Sequence, residues 1–317
     1  MKEKRDAFLW CLIALTFTVS AFIYDLYNLE TARTSREFGV TYMTMNNSFY
    51  SVIQNELIKE TESRGDQLIL RDPLLDAAKQ EEQVREFIDR KVDGIFINPV
   101  DSEKISGVLA EAKSQGIPVI AIDCPIAMDN AVTSSIYSDN YQAGQLWAKD
   151  LVAKYEGGKI ALLKHSSVIS GYDRIEGFRD AIKDYPQFEI VNEAECYGQT
   201  ELTMPAVLEI LKATPDVDFL LCLNDPAALG AIAALEYVDR SDIRVYGGDG
   251  TPDFKELLTR PTCAQATVMQ SPYTMAAKAA QAMYGALEGK KVESTIIVPV
   301  ELLDRSNISS QNLREWQ

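Results

Sequence analysis

The sequence predicts an α/β protein of two similar lobes, each built on a doubly wound parallel sheet, with a transmembrane helix before them. Short β-rich runs alternate with amphipathic stretches of helix length, which is typical of βαβ units. The alternation starts a second cycle near the middle of the chain, and an uncharged apolar segment precedes both cycles. The length of 317 residues also suits about two domains.

The apolar segment near the N-terminus is the first predicted element. Its 18 residues from Ala7 to Tyr24 carry no charge, and basic residues precede it. A cleaved signal peptide has a shorter apolar run of about 7 to 15 residues. We therefore expect an uncleaved anchor, with a cleaved signal peptide and a buried N-terminal helix as alternatives. The predicted parts are a cytoplasmic N-terminus (1–6), a transmembrane anchor with its juxtamembrane turn (7–29) and a linker (30–37).

The first α/β cycle begins directly after this linker. Its β-rich runs are separated by stretches long enough for helices, so the strands are expected to lie parallel. Strands are predicted near 38–43, 67–70, 94–100 and 118–123. Helices are predicted to about Arg64, to about Lys91 and near 103–115.

The second cycle follows Ser138-Asp139-Asn140 and repeats the plan of the first. Strands are predicted near 159–164, 189–194, 219–223, 243–247, 264–269 and 295–300. Helices are predicted near 142–154 and 173–184, from Pro226, from Thr251, and near 276–287. Duplication of a doubly wound unit places a ligand cleft where the carboxyl ends of the two sets of strands face each other.

Charge, histidine and cysteine content exclude several classes of function. Lys and Arg total 31 against 47 for Asp and Glu, and the resulting charge of −16 would repel a phosphate backbone, so no nucleic-acid partner is expected. The single histidine, His165, excludes multi-histidine metal sites. The five cysteines include no Cys-x-x-Cys pair. We predict neither a metal nor a cofactor.

Polar and aromatic side chains stand just beyond several predicted strands. They are Asn47, Phe49, Tyr50 and Asp123 in the first cycle and Asn224, Asp249 and Gln270 in the second. Carboxylates and amides can bond vicinal hydroxyls, and aromatic rings pack on C–H surfaces. Because no cluster of Lys or Arg accompanies them, the set favours a neutral polyol such as a sugar over an anion.

Simpler structural roles compete with this interpretation. Asn47 can merely cap the following helix while Phe49 and Tyr50 belong to the core. Asp225 precedes Pro226 and is expected to be the N-cap of the next helix. His165 is placed at most at the rim of the cleft.

In their order along the chain, these motifs resemble the type I periplasmic, or extracytoplasmic, sugar-binding proteins, most closely the ribose-binding-protein subgroup. The resemblance extends from about Gly39 to Val300. The matching motifs are Asn46-Asn47-Ser-Phe49-Tyr50, Ile97-Asn98-Pro99 with Asp101-Ser102, Ile120-Ala-Ile-Asp123, Ser138-Asp139-Asn140, Arg174-Ile-Glu-Gly177-Phe178, Asn224-Asp225 with Ala228-Leu-Gly230, Gly248-Asp249-Gly-Thr-Pro252 and Gln270.

The resemblance implies two lobes joined by a three-crossing hinge, with ligand bound between them and closure by hinge motion. The crossings are expected near 137–139, 269–271 and 299–301. The implied N-terminal lobe is 38–138 with 271–299, and the implied C-terminal lobe is 139–270 with 300–317. The implied ligand-binding residues are Asn47, Phe49, Tyr50, Asp123, Asn224, Asp249 and Gln270, with a further aromatic near Tyr197.

Two departures from the family pattern affect the choice of sugar. Cys124 stands where the family usually has an Arg, and Tyr172 stands where another Arg is often found. Losing these guanidinium groups removes charge-assisted bonds to sugar oxygens, which argues against ribose itself. Arg174 is expected either to bind ligand or to brace the cleft through Glu176 or a neighbouring acid.

The expected protein is a membrane-anchored receptor on the extracytoplasmic side of the cell membrane. It would close on a neutral monosaccharide, a pentose, hexose or similar polyol, as the solute-binding component of a sugar ABC importer. The implied partner is the ABC permease, and the alternative is a sugar-sensing subunit that signals to a membrane histidine kinase. A cytoplasmic sugar-responsive repressor would need a helix-turn-helix before the first lobe. This chain has an apolar segment there instead, so a repressor is not expected.

A sugar-modifying enzyme is the remote alternative, with Asp123 and Asp249 as an acid/base pair. Ser166 and Ser167 follow His165, but no Gly-x-Ser-x-Gly elbow occurs to expose a nucleophile. We therefore expect no catalytic residues and no enzymatic activity.

Overall fold

The computed structural model describes Trp10, residues 15–23, 35–128 and 130–316. Residues 1–36 and 37–317 form separate compact units. In the first unit, residues 15–23 are helical and exposed. Much of the predicted anchor over 7–29 lies outside the described residues, and no helix within the described ranges has the length and apolar character needed to cross a membrane.

The second unit contains all the strands and the remaining helices of the described chain. In chain order they are β1 (Glu37–Thr41), α1 (Ser48–Glu62), β2 (Gln67–Arg71), α2 (Ala77–Arg90), β3 (Gly94–Ile97), α3 (Ser106–Ser114), β4 (Val119–Ile122), β5 (Ser134–Ser138), α4 (Asn140–Lys154), β6 (Gly158–Lys164), α5 (Ile169–Ile182), β7 (Phe188–Glu195), α6 (Thr200–Ala213), β8 (Phe219–Cys222), α7 (Asp225–Tyr237), β9 (Arg244–Asp249), α8 (Pro252–Leu258), β10 (Ala264–Met269), α9 (Pro272–Leu287), β11 (Thr295–Val298) and β12 (Glu301–Asp304). A 3-10 turn follows at Ile308–Ser310.

The first lobe is a parallel sheet with strand order β11-β5-β4-β3-β1-β2. Every residue of β3 and β4 is buried, as expected for central strands covered on both faces. Residues of α1 and α9 pack in one apolar cluster with the sheet, and residues of α2 and α3 pack in another. The prediction of a doubly wound lobe is confirmed here.

The second lobe has the corresponding order β12-β10-β9-β8-β6-β7. Its helices likewise divide between two apolar clusters, α4 and α5 in one and α6, α7 and α8 in the other. The edge strand β12 runs antiparallel to β10, so the all-parallel prediction is wrong at this edge. Only two residues separate β11 from β12. The chain therefore passes directly from the edge of the first sheet to the edge of the second, where β12 runs antiparallel to β10.

Several elements differ from the sequence-based prediction. The strand β5 was not predicted, because three of its residues, Ser134, Ser135 and Ser138, are polar although they are buried. The helix α6 was not predicted, and it carries an internal Pro205. The helix α5 begins at Ile169, earlier than predicted, and its N-cap Val168 makes no side-chain cap bond.

The chain passes between the two sheets three times. These crossings join β5 to α4, β10 to α9, and β11 to β12. The backbone N–H of Asp139 donates to the carbonyl of Val298 at 3.1 Å and ties two crossings together. The carboxyl ends of the parallel strands in both sheets face a common cleft.

Candidate functional site

A cavity with an open mouth lies between the two lobes. Its lining includes nine of the eleven predicted site residues: Asn47, Phe49, Tyr50, Asp123, Arg174, Tyr197, Asn224, Asp249 and Gln270. These residues share one cavity because most of them lie at or just beyond the carboxyl end of a strand, where the topology of the sheets brings them together.

The first lobe contributes an aromatic wall at the start of α1. Asn47 is the N-cap, and its side-chain oxygen accepts the backbone N–H of Phe49 at 2.9 Å. The Tyr50 ring stacks on Tyr42 with centroids 5.5 Å apart, and Phe49 meets Tyr50 edge-on at 5.7 Å. Asn47 therefore caps the helix and also lines the cavity, so the structural and the site interpretations are compatible.

Asp123 is the carboxylate of the first lobe, directly after β4. Its Oδ2 accepts from the Tyr50 hydroxyl and from Asn98 Nδ2, each at 3.2 Å. Burial raises the pKa of Asp123 to about 6, while the positive charge of Arg174 opposes the shift. The residue adopts a left-handed backbone with φ 69°, which aspartate tolerates better than most residues.

Asp249 is the corresponding carboxylate of the second lobe, at the end of β9. Its Oδ1 accepts from Gln270 Nε2 at 2.7 Å and lies 4.0 Å from Arg174 Nη1. Burial, reinforced by the neighbouring Asp225, raises the pKa of Asp249 well above its usual range. The Oδ1 and Nε2 pairing leaves the buried Gln270 Oε1 without a hydrogen-bond partner among the described residues.

Asn224, rather than the expected Asp225, is the N-cap of α7. Its side-chain oxygen accepts the Ala227 N–H at 3.0 Å, and its Nδ2 donates to the Gly198 carbonyl at 3.1 Å. Asp225 is fully buried and accepts from the Thr251 N–H and the Thr267 hydroxyl, each at 2.7 Å. The prediction failed because Asp and Asn are both good caps and Pro226 occupies the first helical turn in either case.

Arg174 braces the second lobe and faces the cavity at the same time. Its Nε and Nη2 donate to Asn140 Oδ1 at 3.2 and 2.6 Å, and its Nη1 donates to the carbonyl of Leu223. The predicted brace through Glu176 is not formed by Arg174, because Glu176 pairs with Arg179 at 3.3 Å.

The structure does not bring Cys124 and Tyr172 to the cavity lining. Cys124 is fully buried, with its sulfur 3.2 Å from the Ser102 hydroxyl. Tyr172 is 54% exposed. It is two residues before Arg174 on α5, and residues two apart point to widely different sides of a helix.

Two aromatic side chains that are not among the predicted site residues contact residues that are. His165 lines the cavity edge-on to Tyr197 at 5.3 Å, and burial lowers the His165 pKa to about 4, so the ring is neutral at neutral pH. Trp316 lies edge-on to Phe49 at 5.4 Å. No role for Trp316 could be predicted from sequence, because this contact joins residues near opposite ends of the second unit's sequence.

The C-terminal residues connect the two lobes through this contact. Lys255, on α8 of the second lobe, donates from Nζ to the carbonyls of Asn312 and Glu315 at 3.3 and 2.9 Å. Trp316, one residue further, packs on Phe49 of the first lobe. The segment 312–316 therefore spans from one lobe to the binding wall of the other.

The chemistry of the cavity is that of hydrogen bonding. It offers carboxylate and amide oxygens, amide N–H groups and aromatic faces, and Arg174 supplies the one permanent positive charge among its lining residues. Across the described ranges, no group of three or more His, Cys, Asp or Glu side chains is placed to hold a metal ion.

Comparison with known proteins gives consistent results. Residues 38–291 match the family model of a periplasmic binding protein domain. The ribose import binding protein of Bacillus subtilis (strain 168) is 30% identical over 302 residues, which cover 92% of this chain and 97% of that protein.

Solved structures of similar proteins share the fold over nearly the whole second unit. An ABC transporter solute binding protein from Mycobacterium smegmatis with bound glycerol is 27% identical, with a TM-score of 0.84, covering 90% of this chain and 100% of that one. Another from Bacillus halodurans C-125 with bound myo-inositol is 27% identical, with a TM-score of 0.81, covering 88% and 98%.

Proposed function

The chain belongs to the periplasmic binding protein domain family, and from that premise we propose that it binds a neutral monosaccharide or similar polyol between its lobes. One observation carries the proposal: the buried side chains of Asp123 from the first lobe and Asp249 from the second line a single cavity. Ring hydroxyls would donate to these carboxylates and to the unpartnered Gln270 Oε1, while Phe49 and Tyr50 would pack on the C–H faces of the ring.

The names of the relatives support this class of ligand. Ribose, glycerol and myo-inositol, the molecules named for the three similar proteins, are all uncharged and rich in hydroxyl groups. An anionic ligand would meet two carboxylates and a guanidinium that is already bonded to Asn140 and Leu223. Cys124 and Tyr172 replace the arginines that the family resemblance led us to expect, which argues against ribose itself as the bound sugar.

Binding would favour the closed arrangement of the lobes, because ligand contacts from both sides are available only when the cleft is shut. The proposed role is the extracytoplasmic solute-binding component of a sugar ABC importer, with the permease as partner. The relatives are named as import and solute binding proteins, and we expect no turnover of the bound sugar.

A thermal-shift panel on the full chain in mild detergent tests the proposal. Pentoses, hexoses and inositols are compared, and at least one is expected to raise the melting temperature of the native protein. The same sugar should give no shift with Asp123→Ala, while Asp89→Ala, which removes an exposed carboxylate on α2, should respond like the native protein. Normal affinity in both Asp123→Ala and Asn224→Ala would show that the site is wrong.

The apolar N-terminal segment supports a further part of the proposal, a membrane anchor over 7–29. The full chain is expected to remain with membranes after a high-salt wash, and deletion of residues 1–34 should release it. A full-length chain recovered in the soluble fraction would contradict the anchor.

The same segment favours a second candidate partner, a membrane histidine kinase. A receptor fixed by its own helix cannot diffuse freely to a permease, whereas a sensor complex needs no such diffusion. Affinity purification of the full chain from detergent-solubilised membranes separates the two partners. Recovery of an ABC permease supports the importer, and recovery of a histidine kinase without a permease supports the sensor.

A further inference from the structure

The two lobes contact each other directly at the N-terminus of α5. Ser102, in the loop after β3 of the first lobe, donates its backbone N–H to the Ser167 carbonyl of the second lobe at 3.3 Å. The Ser102 hydroxyl oxygen accepts the backbone N–H of Ile169 at 3.2 Å. The sulfur of Cys124, also in the first lobe, accepts the backbone N–H of Ser170 at 3.5 Å.

These bonds replace a cap that α5 lacks. The first N–H groups of any helix have no partner inside the helix, and a side chain at the N-cap position normally accepts one of them. Val168 occupies that position and has no polar side chain. The acceptors for Ile169 and Ser170 come from the opposite lobe, so they are available only while the lobes are together.

Apolar packing and the chemistry of the thiol reinforce the contact. Val168 is 3% exposed and packs in the same apolar cluster as the core of the first lobe. Burial raises the pKa of the Cys124 thiol, which therefore stays neutral at neutral pH. A neutral thiol can accept the Ser170 N–H and also share a hydrogen bond with the Ser102 hydroxyl, 3.2 Å away.

We propose that Ser102 and Cys124 form an inter-lobe clasp that stabilises the closed protein and strengthens ligand binding without touching the ligand. They act as positioning residues, because α5 carries Ser170 and Arg174 of the cavity lining. Cys124 thus has a lobe-to-lobe role at a position where the family resemblance led us to expect a ligand-binding arginine. The inference rests on the lobe closure proposed above.

The reactivity of Cys124 measures the clasp even before the sugar is identified. N-ethylmaleimide labelling of the full chain is followed at Cys124 and at Cys222 by peptide mass spectrometry, alone and with D-ribose or myo-inositol. Both thiols are fully buried, but Cys222 lies inside the second lobe, so its labelling reports unfolding rather than opening. We expect Cys124 to be labelled faster than Cys222.

Ser102→Ala should speed the labelling of Cys124 about fivefold, the effect of losing one helix cap, and leave Cys222 unchanged. Ser106→Ala is the matched control, because this buried hydroxyl bonds the Ser102 carbonyl within the first lobe and should leave both rates unchanged. Equal Cys124 labelling in the native protein and Ser102→Ala, with and without the sugars, would overturn the clasp. Faster labelling in Ser102→Ala that no pentose, hexose or inositol of the thermal-shift panel slows would support the clasp but count against the proposed function.

A second pair of variants keeps the test independent of labelling. Cys124→Ala should weaken binding of the sugar that gives the largest thermal shift by about threefold to tenfold, whereas Cys222→Ala should leave its affinity unchanged. The melting temperatures without sugar show whether either change simply destabilises a lobe. If Cys124→Ala retains native affinity, the clasp is wrong.

Discussion

The two lobes contribute different chemistry to one cavity, and they differ in how far each half is assembled by its own lobe. In the first lobe, Asn47 caps α1, and Asp123 is held by Tyr50 and Asn98. All of these bonds lie within that lobe. In the second lobe, Asp249 is bonded to Gln270 at a hinge crossing, and the start of α5 is capped from the other side.

This difference suggests an order of events during binding. The first lobe offers a preformed surface on which a sugar ring can rest even when the cleft is open. The second lobe holds Asn224 and Arg174 by its own bonds, but the first N–H groups of its helix α5 find acceptors only when it closes on the first lobe. Preorganised groups lose less free energy in ordering, so we expect the first lobe to carry the larger share of the affinity.

The largest expected effect is therefore that of Asp123→Ala. If the Asp123 carboxylate accepts two sugar hydroxyls as proposed, its removal should weaken binding roughly 1,000-fold, since each hydrogen bond to a charged group contributes about 1.5–3 kcal/mol. Titration calorimetry with the sugar chosen by the thermal-shift panel measures the loss. A reduction smaller than that caused by Asn224→Ala would reverse the comparison between the lobes.

Next in size is the pH dependence that Asp123 imposes on the ligand-free protein. Its pKa is about 6 when folded, against an ordinary value of 3.8, so between these pH values the folded state binds a proton that the unfolded chain has released. Stability from this group therefore falls as pH rises from about 4 to 6, by about 3 kcal/mol in total.

Asp123→Asn should remove that dependence. We expect the ligand-free variant to be more stable than the native protein at pH 7.5 and equally stable near pH 4, as measured by urea unfolding. Equal differences in stability at both pH values would mean that Asp123 is not the buried acid described here.

A smaller effect is expected for Asn224→Ala in the second lobe. The variant loses a side chain that lines the cavity and also caps α7, which should reduce sugar affinity about tenfold and lower stability by about 1 kcal/mol. Calorimetry and urea unfolding separate the two losses. A purely structural role for Asn224 would lower stability and leave the affinity of the folded protein unchanged.

The smallest predicted effect concerns the C-terminal segment. Trp316→Ala removes an edge-on contact with Phe49 and should weaken sugar binding about fivefold, because such aromatic pairs contribute about 0.5–1.5 kcal/mol. Tyr237→Ala, which removes an exposed ring from α7, is the control and should bind normally. If Trp316→Ala bound the sugar with native affinity, Trp316 would contribute to packing and not to sugar binding.

The sequence predicted what depends on strong local patterns. Runs such as Val119–Ile122 are wholly apolar, and parallel strands bring the residues beyond them to one edge, which placed Asp123 and Asp249 in the cleft. The polar strand β5 and the reversal at β12 had no comparable pattern. Contacts between distant residues, such as Cys124 with Ser170 or Trp316 with Phe49, have no local signature at all.

The central claim is that two differently assembled lobes close on one sugar. Small-angle X-ray scattering of the native protein, with and without the sugar that calorimetry shows to bind, tests it most directly. We predict that the radius of gyration falls when the sugar binds, and that it stays constant in Asp123→Ala under the same conditions. A native protein that binds the sugar with no change in its radius of gyration would contradict the claim.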